Sequence, residues 1–268
     1  MKVHNLKIGV FDSGLGGLTI VQSILSTIQG CDIYYIADTL HAPYGEKSTK
    51  QILEYSLQIT KFLLDSYDID ALVVACNTAT SAAIETIRQT YPNLIVVGTE
   101  PAIKPAIEVS DTKSIGVLAT KATLQGKKYK ELVSNLTSQN STKVYEVACV
   151  GLVEQIEAGE IDSPKTKQML TSWLEPMIEK GVDTIVLGCT HYPLVASQIS
   201  QIMANNPKLM HSATAIANRL QSLLPKTSQT KPNNLHIIAT SKIDESIIQE
   251  IIDASYDFEY RVLEPKGL

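Results

Sequence analysis

Cys76 and Cys189 stand in matching contexts. Leu72-Val73-Val74-Ala75-Cys76-Asn77-Thr78 and Ile185-Val186-Leu187-Gly188-Cys189-Thr190 each place a thiol after a short apolar run and before hydroxyl or amide side chains. Such runs read as buried parallel strands, so both sulfurs are expected at the carboxyl edge of a sheet, where open α/β folds bind ligands. Asn77, Thr78 and Thr80 follow the first thiol, and Thr190, His191 and Tyr192 follow the second. Both sets are expected at helix N-termini, where a thiolate is stabilised and its pKa lowered. Two thiols in equivalent places of two related halves would face each other across a cleft. One thiolate could then remove a proton from one face of a carbon atom while the opposed thiol returns one to the other.

Other uses of cysteine fit less well. A nucleophile needs one thiol and a base, which Cys189 and His191 could supply, but a duplicated thiol implies duplicated roles. Zinc on Cys76, Cys189 and His191 would lack a fourth ligand at a recognisable spacing. The four cysteines, Cys31, Cys76, Cys149 and Cys189, form no CxxC pair, so their spacing suggests neither a zinc knuckle nor a disulfide framework. No lysine lies in a motif suited to a Schiff base, so no cofactor is expected, neither metal nor pyridoxal phosphate. A further motif, Asp12-Ser13-Gly14-Leu15-Gly16-Gly17, sits at a strand-to-helix turn, where backbone N–H groups and the helix dipole favour an anion. It is not a dinucleotide fingerprint, because Thr19 stands where the third glycine belongs. The same residues also read as a tight turn in which Asp12 only caps the helix.

Strands must carry these residues, and apolar period locates them. Leu6–Phe11 reads as the first strand, followed by a helix with the stripe Leu18, Val21, Leu25 and Ile28. Asp32–Ile36 is the next strand, and Ser48 with Gln51 forms a capping box that opens a helix to about Asp65. Strand Ala71–Ala75, helix Thr80–Gln89 and strand Leu94–Gly98 follow, and Pro101 and Pro105 then limit any long helix. The pattern restarts with strand Ser114–Leu118, helix Lys121–Ser138, strand Lys143–Ala148 and a short helix Leu152–Ala158. After Ser163-Pro164 a helix runs to a stop at Gly181, and strand Val182–Leu187 delivers Cys189. A tail adds helix Ala213–Leu224, a polar linker Pro225–Asn234, strand Leu235–Ala239, helix Ile243–Ile252 and an extended stretch Phe258–Leu263.

Alternating elements of this kind make an α/β fold with mostly parallel sheets. Ile8-Gly9-Val10 recurs as Ile115-Gly116-Val117 at an offset of 107, and the cysteine motifs recur at 113. Two matches in one order suggest an internal duplication, hence two domains: 1–99 with 212–268, and 100–211. At 268 residues and a net charge of -5, with 44% hydrophobic and 19% charged residues, the chain is long enough for two cores. That balance argues against disorder and against a nucleic-acid surface built on excess charge. No apolar run approaches a membrane span, and Lys2, His4 and Lys7 interrupt the start where a signal peptide would be apolar, so a cytoplasmic location is expected.

At these motifs the chain resembles the cofactor-independent glutamate racemases of the aspartate/glutamate racemase superfamily. The matching stretches are Gly9-Val10-Phe11-Asp12-Ser13-Gly14-Leu15-Gly16-Gly17-Leu18-Thr19, Ala42-Pro43-Tyr44-Gly45-Glu46-Lys47-Ser48, Ala75-Cys76-Asn77-Thr78-Ala79-Thr80 and Gly188-Cys189-Thr190-His191-Tyr192-Pro193-Leu194. The resemblance implies two pseudo-symmetric α/β domains with the site between them, interconverting L- and D-glutamate for peptidoglycan synthesis without cofactor. It implies that Cys76 and Cys189 are the acid/base thiols, assisted by Asp12 and His191 respectively. Ser13, Asn77, Thr78 and Thr190 would bind the amino group and α-carboxylate, and Pro43, Tyr44 and Gly45 would lie along the substrate. Thr120 and Thr123 would add hydroxyls near it. Glu157 matches the family's glutamate in this region, although Glu154 could be aligned instead. A homodimer is the family expectation. Two residues depart from the pattern: His41 where arginine is frequent, and His211 where aspartate is usual.

The residues suit glutamate on their own terms. Arg88, Arg219 and Arg261 are the only arginines and none lies in a motif, so an anionic substrate would be held by helix N-termini, backbone N–H groups and hydroxyls. Nothing in the residues fixes the side-chain length accepted, so a racemase for aspartate or another amino acid is the alternative within enzymes, and a binding protein that closes on an anionic ligand without chemistry is the alternative outside them. The two thiols, which binding does not need, favour the enzyme.

Overall fold

The computed structural model describes residues 5–204, 206–225, 232–243 and 245–263. In chain order these form β1 (Leu6–Asp12), α1 (Leu18–Thr27), β2 (Cys31–Ala37), α2 (Thr49–Tyr67), β3 (Ala71–Val74), α3 (Asn77–Thr90) and β4 (Ile95–Gly98). Next come α4 (Ile103–Val109), β5 (Ser114–Ala119), α5 (Lys121–Gln125), α6 (Lys127–Asn140), β6 (Lys143–Ala148), α7 (Leu152–Glu157), α8 (Pro164–Glu179), β7 (Thr184–Gly188), α9 (Ala196–Met203) and β8 (Lys208–Met210). The tail supplies α10 (Ala213–Leu223), β9 (Asn234–Ala239), α11 (Glu245–Ile251) and β10 (Phe258–Val262). Two compact units result, Met1–Thr99 with Ala213–Leu268, and Glu100–Ser212.

The first unit holds a six-stranded sheet in the order β10-β9-β2-β1-β3-β4, and the second a four-stranded sheet in the order β6-β5-β7-β8. Every pairing is parallel. Parallel strands covered on both faces need apolar side chains on both, which is why they read as continuous runs. In β1, Ile8 and Val10 join the core under α1 and α10, while Phe11 faces the core under α2 and α3. In β5, Ile115 and Val117 pack with α4, while Leu118 faces α7, α8 and α9.

The repeat seen in sequence recurs in the register. Gly9 of β1 pairs with Leu72 of β3, and Gly116 of β5 pairs with Ile185 of β7. A Cβ at Gly9 would lie 2.7 Å from Ile69 Cδ1, and one at Gly116 would lie 2.6 Å from Ile185 Cδ1 and Met177 Sδ. Glycine therefore lets neighbouring side chains close over the centre of each sheet.

Several elements differ from the sequence expectation. The single helix expected over Lys121–Ser138 is two, α5 and α6, because Gly126 turns extended (φ -62°, ψ 137°) and its N–H bonds the Thr123 carbonyl. Helix α3 starts at Asn77 rather than Thr80, and the Thr80 hydroxyl bonds the Val74 carbonyl instead of capping. Pro105 lies in the first turn of the seven-residue α4, where its missing N–H leaves no helical bond unmade. Helix α9 and strand β8 had no sequence signal: Val195 gives α9 no side-chain cap, and β8 is three residues long. Of the polar linker, residues 226–231 lie outside the described residues, and Asn234 already belongs to β9.

Asp183, just before β7, ties this strand to the turn leading into β5. It accepts from Ser110 Oγ (2.7 Å), Asp111 N (2.7 Å), Thr112 N (2.9 Å) and Thr184 Oγ1 (2.9 Å). Burial pushes its carboxyl up, but these donors outweigh burial and lower it to about 2. A depressed carboxylate stabilises the fold above its unfolded value of about 3.9 and loses that contribution as pH falls through the folded one. Asp183→Ala is expected to lose about 1–2 kcal/mol at neutral pH. In urea titrations its deficit against the parent chain should shrink as pH falls toward about 2.

Candidate active site

Cys76 sits between β3 and α3 as the N-cap residue of a fourteen-residue helix, and its Sγ accepts the Ala79 N–H at 3.4 Å. The turn that carries it is braced. Ala75 N donates to Phe11 O in β1 (2.8 Å), and the Val74 carbonyl accepts Thr80 Oγ1 (3.2 Å) and Thr99 Oγ1 (2.8 Å). Thr99 N in turn donates to Thr80 Oγ1 at 2.9 Å. Cys76, Asn77 and Thr78 are buried, and Asn77 Nδ2 has no hydrogen-bond partner. A buried amide donor left unpaired costs about 1–3 kcal/mol.

Asp12 ends β1 on the neighbouring strand and is fully buried. Its Oδ1 accepts Ser13 N (2.7 Å) and its Oδ2 accepts Gly17 N (2.6 Å), so it does brace the turn into α1. In the loop after β2, Pro43 precedes a 3-10 turn over Tyr44–Glu46, which includes Gly45. Tyr44 is buried and donates to Asp38 Oδ2 at 2.5 Å. Burial first, then Asp38, push its hydroxyl far up, and Cys76 and Asp12 add to this, so both lie within electrostatic reach of Tyr44. Asp38 was missed in the sequence; its only signal was a carboxylate directly after a strand, as at Asp12.

In the second unit the chain leaves β7 through Cys189 and Thr190, both buried, and enters a 3-10 turn over Tyr192–Val195. Cys189 therefore does not sit at an α-helix N-terminus as expected; Pro193 tightens the chain there, and α9 begins only at Ala196. A side chain takes the place of the helix end. His191 Nδ1 lies 3.7 Å from Cys189 Sγ, and His191 Nε2 meets Glu157 Oε1 at 2.5 Å. Of the two glutamates open in the sequence, Glu157 at the end of α7 is the one bonded to His191. Burial presses the imidazole down, yet its bonds to Cys189 and Glu157 win and hold it well above its ordinary value.

Thr120 and Thr123 follow β5 at the same sheet edge. Thr120 caps α5 by accepting Thr123 N (3.2 Å), and its hydroxyl donates to Thr123 Oγ1 (2.9 Å). Burial and Asp32 push Cys31 up to about 12, and burial and Cys189 push Cys149 up further. Among the described residues, no group of three His, Cys, Asp or Glu side chains could hold a metal ion, and no helix is long and apolar enough to cross a membrane. His211 is exposed.

Two units, each with a parallel sheet and a buried cysteine at the same strand end, define an α/β protein with a repeated frame. The chain belongs to the Asp/Glu/Hydantoin racemase family, whose profile matches residues 8–220. It is 57% identical to the glutamate racemase of Sulfurovum sp. (strain NBC37-1) over 92% of this chain and 94% of that protein. The Escherichia coli glutamate racemase in complex with L-glutamate and the activator UDP-MurNAc-ala superposes with a TM-score of 0.81 at 28% identity, covering 97% of this chain and 99% of that one. The Francisella tularensis glutamate racemase in complex with D-glutamate gives a TM-score of 0.80 at 27% identity, covering 98% and 99%.

A raised imidazole pKa stabilises the fold fully below the ordinary value of about 6.5 and is lost as pH rises through the folded value. Nitrogen NMR of the His191 ring is expected to show imidazolium persisting above neutrality, and Glu157→Gln to bring its titration to lower pH. An unchanged titration in Glu157→Gln would remove Glu157 from the causes and leave Cys189.

Proposed function

We propose that this chain is a glutamate racemase in which Cys76 and Cys189 exchange protons with the two faces of the substrate α-carbon. The observation that supports this most is the buried cysteine at the same strand end of each unit, beside the central strand of its sheet. In one direction the Cys189 thiolate, next to the His191 imidazolium, takes the α-proton while the Cys76 thiol delivers one to the opposite face. The reverse direction swaps these roles. Asp12 and His191 assist the thiols of their own units.

Charge left on the α-carbon spreads into the α-carboxylate, and fixed donors suit that charge better than water does. Asn77 Nδ2, whose donor is unused, is one such group, with Ser13, Thr78 and Thr190 as its companions. Pro43, Tyr44 and Gly45 line the side chain, and the hydroxyls of Thr120 and Thr123 lie near the substrate. A turnover of ~10 per second leaves a barrier of roughly 16 kcal/mol for this step. The product, D-glutamate, would supply peptidoglycan synthesis in the cytoplasm, and a homodimer would be the working form.

Circular dichroism of D-glutamate should decay to zero with added protein, and should still do so after dialysis against a chelator. Cys76→Ser and Cys189→Ser are each expected to lose about 100-fold or more in both directions, the size of one general acid or base. In deuterated water each variant should still exchange the α-hydrogen of one enantiomer only, Cys189→Ser that of D-glutamate and Cys76→Ser that of L-glutamate. The same enantiomer preference in both variants would end the two-thiol mechanism.

A further inference from the structure

Asp38 gathers the loop that carries Pro43, Tyr44 and Gly45. It follows β2 directly, its N–H donates to the Asp12 carbonyl at 2.9 Å, and its side chain is 1% exposed. Its two oxygens are used separately. Oδ2 accepts the Tyr44 hydroxyl at 2.5 Å, and Oδ1 accepts Thr240 Oγ1, from the end of β9, at 3.0 Å. His41 Nδ1 straddles both, 2.9 Å from Oδ1 and 3.0 Å from Oδ2. A carboxylate offers only acceptors, so Nδ1 carries the proton.

The His41 ring is fixed from its other side as well. It stacks on Tyr55 of α2, with centroids 3.9 Å apart and planes 18° apart, and Tyr55 lies 5.9 Å from the Tyr44 ring. With its side chain 32% exposed, His41 is not there to fill the core. A phenylalanine would stack equally well. What histidine adds is one N–H aimed at a carboxylate whose rotation would break its bond to Tyr44 or to Thr240.

We propose that His41 is a positioning residue: stacked on Tyr55 and donating to Asp38, it sets the carboxylate that holds Tyr44 and the Pro43–Gly45 backbone against the substrate. The proposal rests on the racemase reading above. His41 acts through Asp38 and Tyr44, so its loss loosens substrate holding and leaves proton transfer at the thiols nearly intact.

The test is a set of variants assayed on both enantiomers, with glutamate binding followed by calorimetry. His41→Phe keeps the stack and removes the donor; it is expected to raise KM and Kd roughly tenfold, the worth of one hydrogen bond to a charged group, with kcat within about threefold. His41→Asn returns an N–H near the Nδ1 position and should recover most of the affinity. In an Asp38→Asn background, His41→Phe should add less than about twofold, because its route through Asp38 is already cut. Unchanged KM and Kd in His41→Phe, equal impairment in His41→Asn, or multiplying effects with Asp38→Asn would each overturn the proposal. Should the Phe variant not fold, His41→Ala is compared with His41→Asn in the same way. A parent chain that binds glutamate without racemising it overturns the racemase reading instead, and the Kd ratios still decide this one.

Discussion

The pairing of one central strand with one neighbour, β1 with β3 and β5 with β7, is the constraint on which the rest of the chemistry depends. Hydrogen bonds in a parallel ladder fix register to the residue, and a slip by one would turn every side chain to the opposite face. Gly9 against Leu72 and Gly116 against Ile185 hold that register in the two units. Because the register repeats, the chain leaves β3 and β7 at the same height, and the thiol that follows each meets the same edge. The offsets of 107 and 113 therefore describe one repeat, and the six extra residues fall in the connection between the paired strands, where length is free to vary.

Equivalent backbone does not produce equivalent electrostatics. Cys76 gains from its helix: it caps α3, and an N–H of the first turn points at sulfur. Cys189 has only a 3-10 turn behind it, too short to aim a helix dipole, and His191 held by Glu157 supplies the positive charge instead. One duplicated frame thus reached the same end, a buried sulfur offered a donor, by backbone on one side and by side chains on the other. The short α7, which is what brings Glu157 within reach of His191, belongs to this second solution.

Much of this was legible because the strongest signals were local. The capping box of Ser48 and Gln51 and the Ser163-Pro164 start are contained within four residues and formed as read. The strands β1, β3, β5 and β7 announced themselves because both of their faces are buried. What was not legible depended on partners distant in sequence. Asp38 draws its donors from Thr240, His41 and Tyr44, and no spacing within the loop foretells a residue 202 positions away. Glu157 and Glu154 are indistinguishable until α7 is laid beside the turn after β7. Helix α9 starts without a cap and is held by its packing against α8 and the Tyr192–Val195 turn, which no local pattern encodes.

Burial does not distinguish the four cysteines, since all are buried; their neighbours do. Cys31 Sγ faces Asn233 Oδ1 at 3.5 Å, and Cys149 Sγ faces the Val147 carbonyl at 3.7 Å. Both are acceptors, which a thiol satisfies by donating and a thiolate cannot, so these contacts add to burial in keeping the proton on sulfur. Cys76 faces an N–H, and Cys189 faces a ring nitrogen of an imidazole held toward its protonated form. A sulfur can accept from such groups, and burial strengthens a hydrogen bond of this kind. Burial is common to all four, and what separates them is the side chain or backbone group nearest each sulfur: a carbonyl oxygen at Cys31 and Cys149, an N–H at Cys76 and the His191 imidazole at Cys189.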